Sequence, residues 1–191
     1  FDSSAKIDSS EFKLEDKWIL SKLQNTARQV NESFEKYELD TAAKLAYEFF
    51  RGNFCDWYVE IAKTRVYGQE GRDKTVAQYV LKTVLDKGLK MLHPFIPFIT
   101  EEIWQKLDLG EETIMLSDFP KEEKEFVNLE AEKEFDFLKE IVNAIRNIRG
   151  EANVSPAKKI EVIFKTVNDA EKNILQHNAK ILDKLANVEK Y

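Results

Sequence analysis

The chain is short of the residue types from which most catalytic sites are made. It has one cysteine, Cys55, and two histidines, His93 and His177, in 191 residues. A single thiol excludes an internal disulfide and agrees with a reduced, cytoplasmic setting. Within an apolar helix, Cys55 reads as an inert core thiol. The histidines are preceded at three residues by Lys90 and Ile174. The paired Glu-x-x-His pattern with which helix bundles hold two metal ions is therefore missing. So are a glycine-rich phosphate loop, a Cys/His cluster and a nucleophile beside a histidine. His93, between Leu92 and Pro94, reads as a packed or capping residue. No apolar run approaches the roughly 20 residues of a membrane span, and no signal peptide is recognisable.

What the sequence does contain is helix, in a mainly α chain. Residues 1–14 read as a leader; without an initial Met, and Ser- and Asp-rich to Ser10, they suggest a piece excised from a larger protein. An antiparallel helix bundle is expected over 15–126. Its first helix spans about Glu15 to Tyr37, with Leu20, Leu23, Ala27, Val30, Phe34 and Tyr37 as its stripe. A second, from Asp40 to about Val66, is apolar nearly all round and reads as the central one. A third spans Lys74 to Leu92, where Gly88 signals a close helix approach. Pro97 is placed to begin a fourth, to Leu107. Gly110 to Asn128 is acidic and irregular, with Thr113 to Leu116 extended.

A long helix, Leu129 to Arg149, falls within 127–155 and connects the bundle to a small, truncated α/β portion at 156–191. There Ile160, Val162 and Phe164 alternate as one face of a strand, and Asn168-Asp169 opens a helix. One strand makes no sheet, so another is expected, either beyond Tyr191 or in the residues up to it.

Charge is unevenly distributed. The net charge is -6, yet Lys63 to Lys90 and Ile141 to Lys165 carry a positive excess, while Glu101 to Glu140 is heavily acidic. Such segregation permits a polyanion-binding surface on an acidic chain. Asn53, Asp56 and Glu60 follow one edge of the second helix and read as a buried seam locking helices together. Trp57 and Tyr58 read as core. Trp18 lies off the first helix's stripe, and Lys22, Asn25 and Gln29 continue its face at helical spacing.

Four ordered motifs carry a resemblance. They are Asp16-Lys17-Trp18-Ile19-Leu20-Ser21-Lys22-Leu23, Phe54-Cys55-Asp56-Trp57-Tyr58-Val59-Glu60, the run Leu92 to Trp104 with its His-Pro-Phe, and the run Ile145 to Lys159. In this order they resemble the anticodon-binding domain of the valyl-tRNA synthetases, class I enzymes. The resemblance extends from Asp16 to Phe164. It implies a fragment that grips valine tRNA beside the catalytic domain of the same polypeptide. The family's His-Ile-Gly-His-type and Lys-Met-Ser-Lys-Ser-type motifs are missing here. No cofactor is therefore implied for this stretch, and ATP-dependent valine attachment belongs to upstream domains.

RNA loops are read by splaying bases onto aromatic planes and hydrogen-bonding their edges. On that basis Trp18, Lys22, Asn25 and Gln29 are expected to receive an anticodon base, with Lys44 and Arg51 as phosphate or base contacts. The alternative for Trp18 is packing against the leader or another helix. Arg146 and Arg149 grip the tRNA stem, join the bundle to the α/β part, or lie on a solvated face. Two other readings are a helical protein-interaction module, in which Trp18 and Trp104 meet a partner, and the same domain of an isoleucyl- or leucyl-tRNA synthetase.

Overall fold

The computed structural model describes residues 7–107, 111–155, 157–166 and 168–190. The expectations placed on Phe1 to Lys6 of the leader, on Gly110 and on Pro156 lie outside them. The chain forms two compact units, one up to Leu129 and one from Glu130. Both are dominated by helix.

In the first unit α1 spans Leu14–Glu35 and α2 spans Leu39–Glu48. A π-helical segment, Phe49–Val59, continues the run without a break and passes into α3, Glu60–Val66. Next come α4, Arg72–Leu92, and α5, Pro97–Gln105. Pro97 occupies the first turn of α5, where its missing N–H costs nothing.

The central helix is α1, not its successor. Its stripe of Leu20, Leu23, Ala27 and Val30 is buried, but so are Asp16, Trp18, Ile19, Ser21 and Gln24. Partners cover it on several sides: α2, α4, the π segment and a 3-10 turn at Lys124–Phe126. Its polar side chains pin the acidic connection. Ser21 Oγ accepts from the Asn128 N–H at 2.8 Å, Gln24 Oε1 from the Glu123 N–H at 2.9 Å, and Asn31 Nδ2 donates to the Pro120 carbonyl at 2.8 Å. Backbone groups of an irregular segment packed on a helix need such partners.

The second helical run differs from its expected wheel because its hydrogen bonds widen from i→i+4 to i→i+5 between Phe49 and Val59. Buried positions then run Ala46, Phe49, Phe54, Trp57, Tyr58, Ile61. The five-residue step from Phe49 to Phe54 is one an α-helical wheel does not anticipate. The supposed seam consequently opens. Asp56 and Cys55 are exposed, and Asn53 and Glu60 are half-buried; the core reading holds for Trp57 and Tyr58 but fails for the thiol. Opposite, a Cβ on Gly88 would lie 2.8 Å from the Phe50 ring, so α4 does approach that closely.

At the far end of α4, His93 Nδ1 shares a 2.8 Å hydrogen bond with Thr100 Oγ1. Trp104 is buried and its indole N–H donates to Asp86 at 2.7 Å, with Lys90 above the ring. The segment expected to be extended at Thr113 to Leu116 is instead a 3-10 turn, Ile114–Leu116. Glu101 sets it by accepting from Thr113 Oγ1 at 2.8 Å and from the Ile114 N–H.

The second unit contains α6, Leu129–Glu151, then β1, Ile160–Glu161, α7, Asp169–His177, α8, Ala179–Ala186, and β2, Val188–Lys190. Phe135, Leu138, Val142 and Ile145 of α6 are buried. Asn168 caps α7 by accepting from the Glu171 N–H at 2.9 Å. The strands pair in parallel, Ile160 against Val188, so the partner of β1 lies in the residues up to Tyr191. The strand read over Lys158 to Lys165 is confined to Ile160–Glu161, and only the alternation in burial continues beyond it: Ile160, Val162 and Phe164 are half-buried, Glu161, Ile163 and Lys165 exposed.

Candidate nucleic-acid interface

Binding a polyanion needs cations that are open to it. The basic run Lys63 to Lys90 largely fails this condition, because carboxylates from elsewhere and from within the run pair with its cations. Arg65 meets Asp16 at 2.8 Å, Arg72 meets Glu11, and Lys87 meets Glu123 at 2.5 Å. Lys63, Lys74 and Lys90 pair with Glu60, Glu70 and Asp86 at 2.5, 2.5 and 3.1 Å.

The deepest of these contacts is a buried lock. Arg65 Nη1 donates to both oxygens of Asp16 at 2.8 Å and to Glu15 at 3.3 Å, while its Nε donates to Asp73 at 2.9 Å. The Tyr58 hydroxyl donates to Asp16 at 2.6 Å. Burial, reinforced by the Asp16 carboxylate, raises the Tyr58 pKa well above its ordinary value and keeps the phenol protonated. Burial likewise raises Glu15, with Asp16 adding to the effect. Burial disfavours the Arg65 charge, but Asp16 more than reverses that.

The expected site residues separate into three groups. Trp18 has 0% exposure, which corrects its reading as an open stacking plane: α1 is covered on that side too. Along the same face Lys22 and Asn25 are half-buried and Gln29 is exposed, so the row runs from the interior to the surface. Arg149 is also buried. It donates to the carbonyls of Ala186 at 3.2 Å, Ser155 at 2.8 Å and Lys158, and Arg146 donates to that of Leu185 at 3.0 Å. These two arginines staple α6 to the α/β portion. That use corrects the reading of Arg149 as a grip on the tRNA stem, since the side chain is buried and three of its five donors are spent on carbonyls.

Lys44 and Arg51 lie on the open side of the second helical run, and Tyr47 stands between them, 51% exposed. Arg51 Nη1 donates to the Tyr47 hydroxyl at 2.8 Å, and this contact raises the arginine's pKa, with Asp56 adding a smaller push. Lys44 is 3.8 Å from Glu48. The result is an aromatic ring held by a guanidinium, flanked by an ammonium and, a turn further on, by the open Asp56 carboxylate. Sequence reasoning missed Tyr47, although its spacing of three from Lys44 and four from Arg51 marks one helix face. Asp56 escaped because the π register could not be read from the apolar pattern.

The fold is a mainly α bundle whose second helical run carries an open aromatic and cationic face, and comparison shows the family to which it belongs. The chain belongs to the family of anticodon-binding domains of tRNA ligases, whose pattern matches residues 16–164. The relatives it resembles are valine–tRNA ligases. It is 49% identical to that of Fusobacterium nucleatum over 183 residues, covering 94% of this chain and 20% of that protein. To that of Carboxydothermus hydrogenoformans it is 44% identical over 183 residues, 96% of this chain and 21% of that protein. To that of Aquifex aeolicus it is 39% identical over 191 residues, 94% and 16%. The chain thus spans about a fifth of these proteins' length. With Trp18 and Trp104 both buried, the protein-interaction reading loses the two indoles on which it rested. Among the described residues no helix is long and apolar enough to cross a membrane.

Proposed function

We propose that the chain is the part of a cytoplasmic valine–tRNA ligase that receives the anticodon loop of valine tRNA, while ATP-dependent attachment of valine is carried out elsewhere in the polypeptide. The observation that supports this most directly is the exposed Tyr47 ring clasped by Arg51. A base stacks on the ring, and Arg51 and Lys44 reach its edge or a neighbouring phosphate. Asp56 offers an acceptor to an exocyclic amine. Gln29, exposed on α1 beyond Asn25 and Lys22, supplies a second set of edge contacts. Glu48 and Asp56 temper the local positive charge, so stacking and edge recognition dominate over phosphate attraction here.

Tyr47→Ala in the full-length ligase is expected to weaken valine tRNA binding by about 1–3 kcal/mol, roughly 5- to 150-fold. Because the side chain is half exposed, the melting temperature should stay unchanged. Unaltered tRNA affinity would remove this helix face from the interface.

A further inference from the structure

The first unit displays a second surface with the opposite chemistry. On α5 and the residue before it, Ile96, Phe98 and Ile99 are exposed, Phe98 by 91%. In the 3-10 turn that Glu101 fixes against α5, Met115 is 76% exposed and Leu116 is 68% exposed. Single exposed apolar side chains need no explanation; five gathered on two elements bonded to each other do. They cannot be relics of a loose core, since other residues of the same elements, Thr100, Trp104 and Ile114, are buried. Both elements are held in place by Thr113, Glu101 and the 2.6 Å bond from Gln105 Nε2 to the Glu112 carbonyl.

The charge around this patch decides what covers it. Glu102 on α5 and Glu111, Glu112 and Asp118, which flank the 3-10 turn in the chain, are exposed. Glu101 has its pKa lowered, first by the Gln105 contact, and so stays ionised. The cation Lys106 is paired with Glu102 at 2.9 Å. An acidic rim repels a phosphate backbone, so RNA is a poor occupant. An apolar protein surface flanked by lysine or arginine suits it. About four fifths of the length of the related ligases lies outside this chain, and that is ample polypeptide to supply such a surface.

We infer that the Ile96–Ile99 and Met115–Leu116 patch is an interdomain seat, covered in the intact ligase by a basic, apolar surface from the same polypeptide outside these 191 residues. The patch and the Tyr47 seat share no residue, so either assignment can fail alone.

Site-specific photocrosslinking tests it. A benzophenone amino acid in place of Phe98 in the full-length ligase, irradiated with and without valine tRNA, is expected to join that position to a peptide from outside this chain, at equal yield in both conditions. A crosslink to RNA, to a peptide within these residues or to a second copy of the protein would overturn the inference, as would no crosslink at all. In the same protein, Phe98→Asp should at least double hydroxyl-radical labelling of Met115, since a charge there loosens the cover. Labelling of Met115 that is already at the level of a solvent-exposed methionine before the substitution would also overturn it.

Discussion

In the first unit the buried guanidinium, Arg65, faces three carboxylates drawn from α1 and α4, whereas in the second Arg149 faces backbone carbonyls. The two clamps do different work. The carboxylate lock fixes helices against one another, and each of its charges depends on the others for compensation. The carbonyl clamp ties the C-terminal end of α8 to the irregular stretch that holds Ser155 and Lys158. A third arginine, Arg51, is exposed and holds a tyrosine hydroxyl, which leaves its charge open to a ligand. The same side chain thus cements helices, closes loops or stays at the surface according to what surrounds its fork.

Removing one partner sharpens that contrast most where compensation is tightest. Asp16→Ala leaves Arg65 and the Tyr58 hydroxyl buried with fewer partners, and is expected to cost about 3–5 kcal/mol. Urea unfolding checks it, and a loss below about 1 kcal/mol would show that Glu15 and Asp73 suffice for Arg65. Arg149→Ala should cost less, about 1–3 kcal/mol, because it orphans neutral carbonyls. Faster amide exchange confined to 153–160 and 185–190 is the readout expected; exchange unchanged there would break the comparison.

The smallest effect concerns the exposed rim of the lock. Arg72 holds the Glu11 carboxylate down from the ordinary 4.5 to about 2. A depressed carboxylate stabilises the fold above its unfolded pKa and ceases to do so as pH falls through the folded one. The contribution of Glu11 is therefore complete above pH 4.5 and fades towards pH 2. Glu11→Gln should flatten that part of the acid-unfolding curve while leaving the plateau near neutral pH almost where it was, as befits a solvated pair.

The helices were largely legible, because Leu20, Leu23, Ala27 and Val30, or Phe135, Leu138, Val142 and Ile145, repeat at spacings only a helix brings together. Gly88 announced the approach of Phe50, and the alternation at Ile160 announced a strand. Three things were hidden, each for a physical reason. The apolar pattern of α1 marks one stripe, but Trp18 is buried off that stripe, and a connection about 100 residues away, anchored on Ser21 and Gln24, packs on the same helix. Linear charge excess did not become surface charge, because Glu11, Asp16 and Glu123 meet Arg72, Arg65 and Lys87 only in three dimensions. The Asp56 edge of the Tyr47 seat was obscured by a register change that shifts the phase of every side chain after Phe49.

That phase shift reaches further than the face it exposes. Wide turns between Phe49 and Val59 reset the azimuth at which α3 begins, and Arg65 sits on α3. The bearing that aims a guanidinium into the acidic pit at the start of α1 is therefore dialled in upstream, on the stretch that also turns Asp56 and Arg51 towards solvent. Shape at the open face of Tyr47 and Arg51 and cohesion at the buried lock are set by one adjustment of helical winding, and neither can be retuned without disturbing the other.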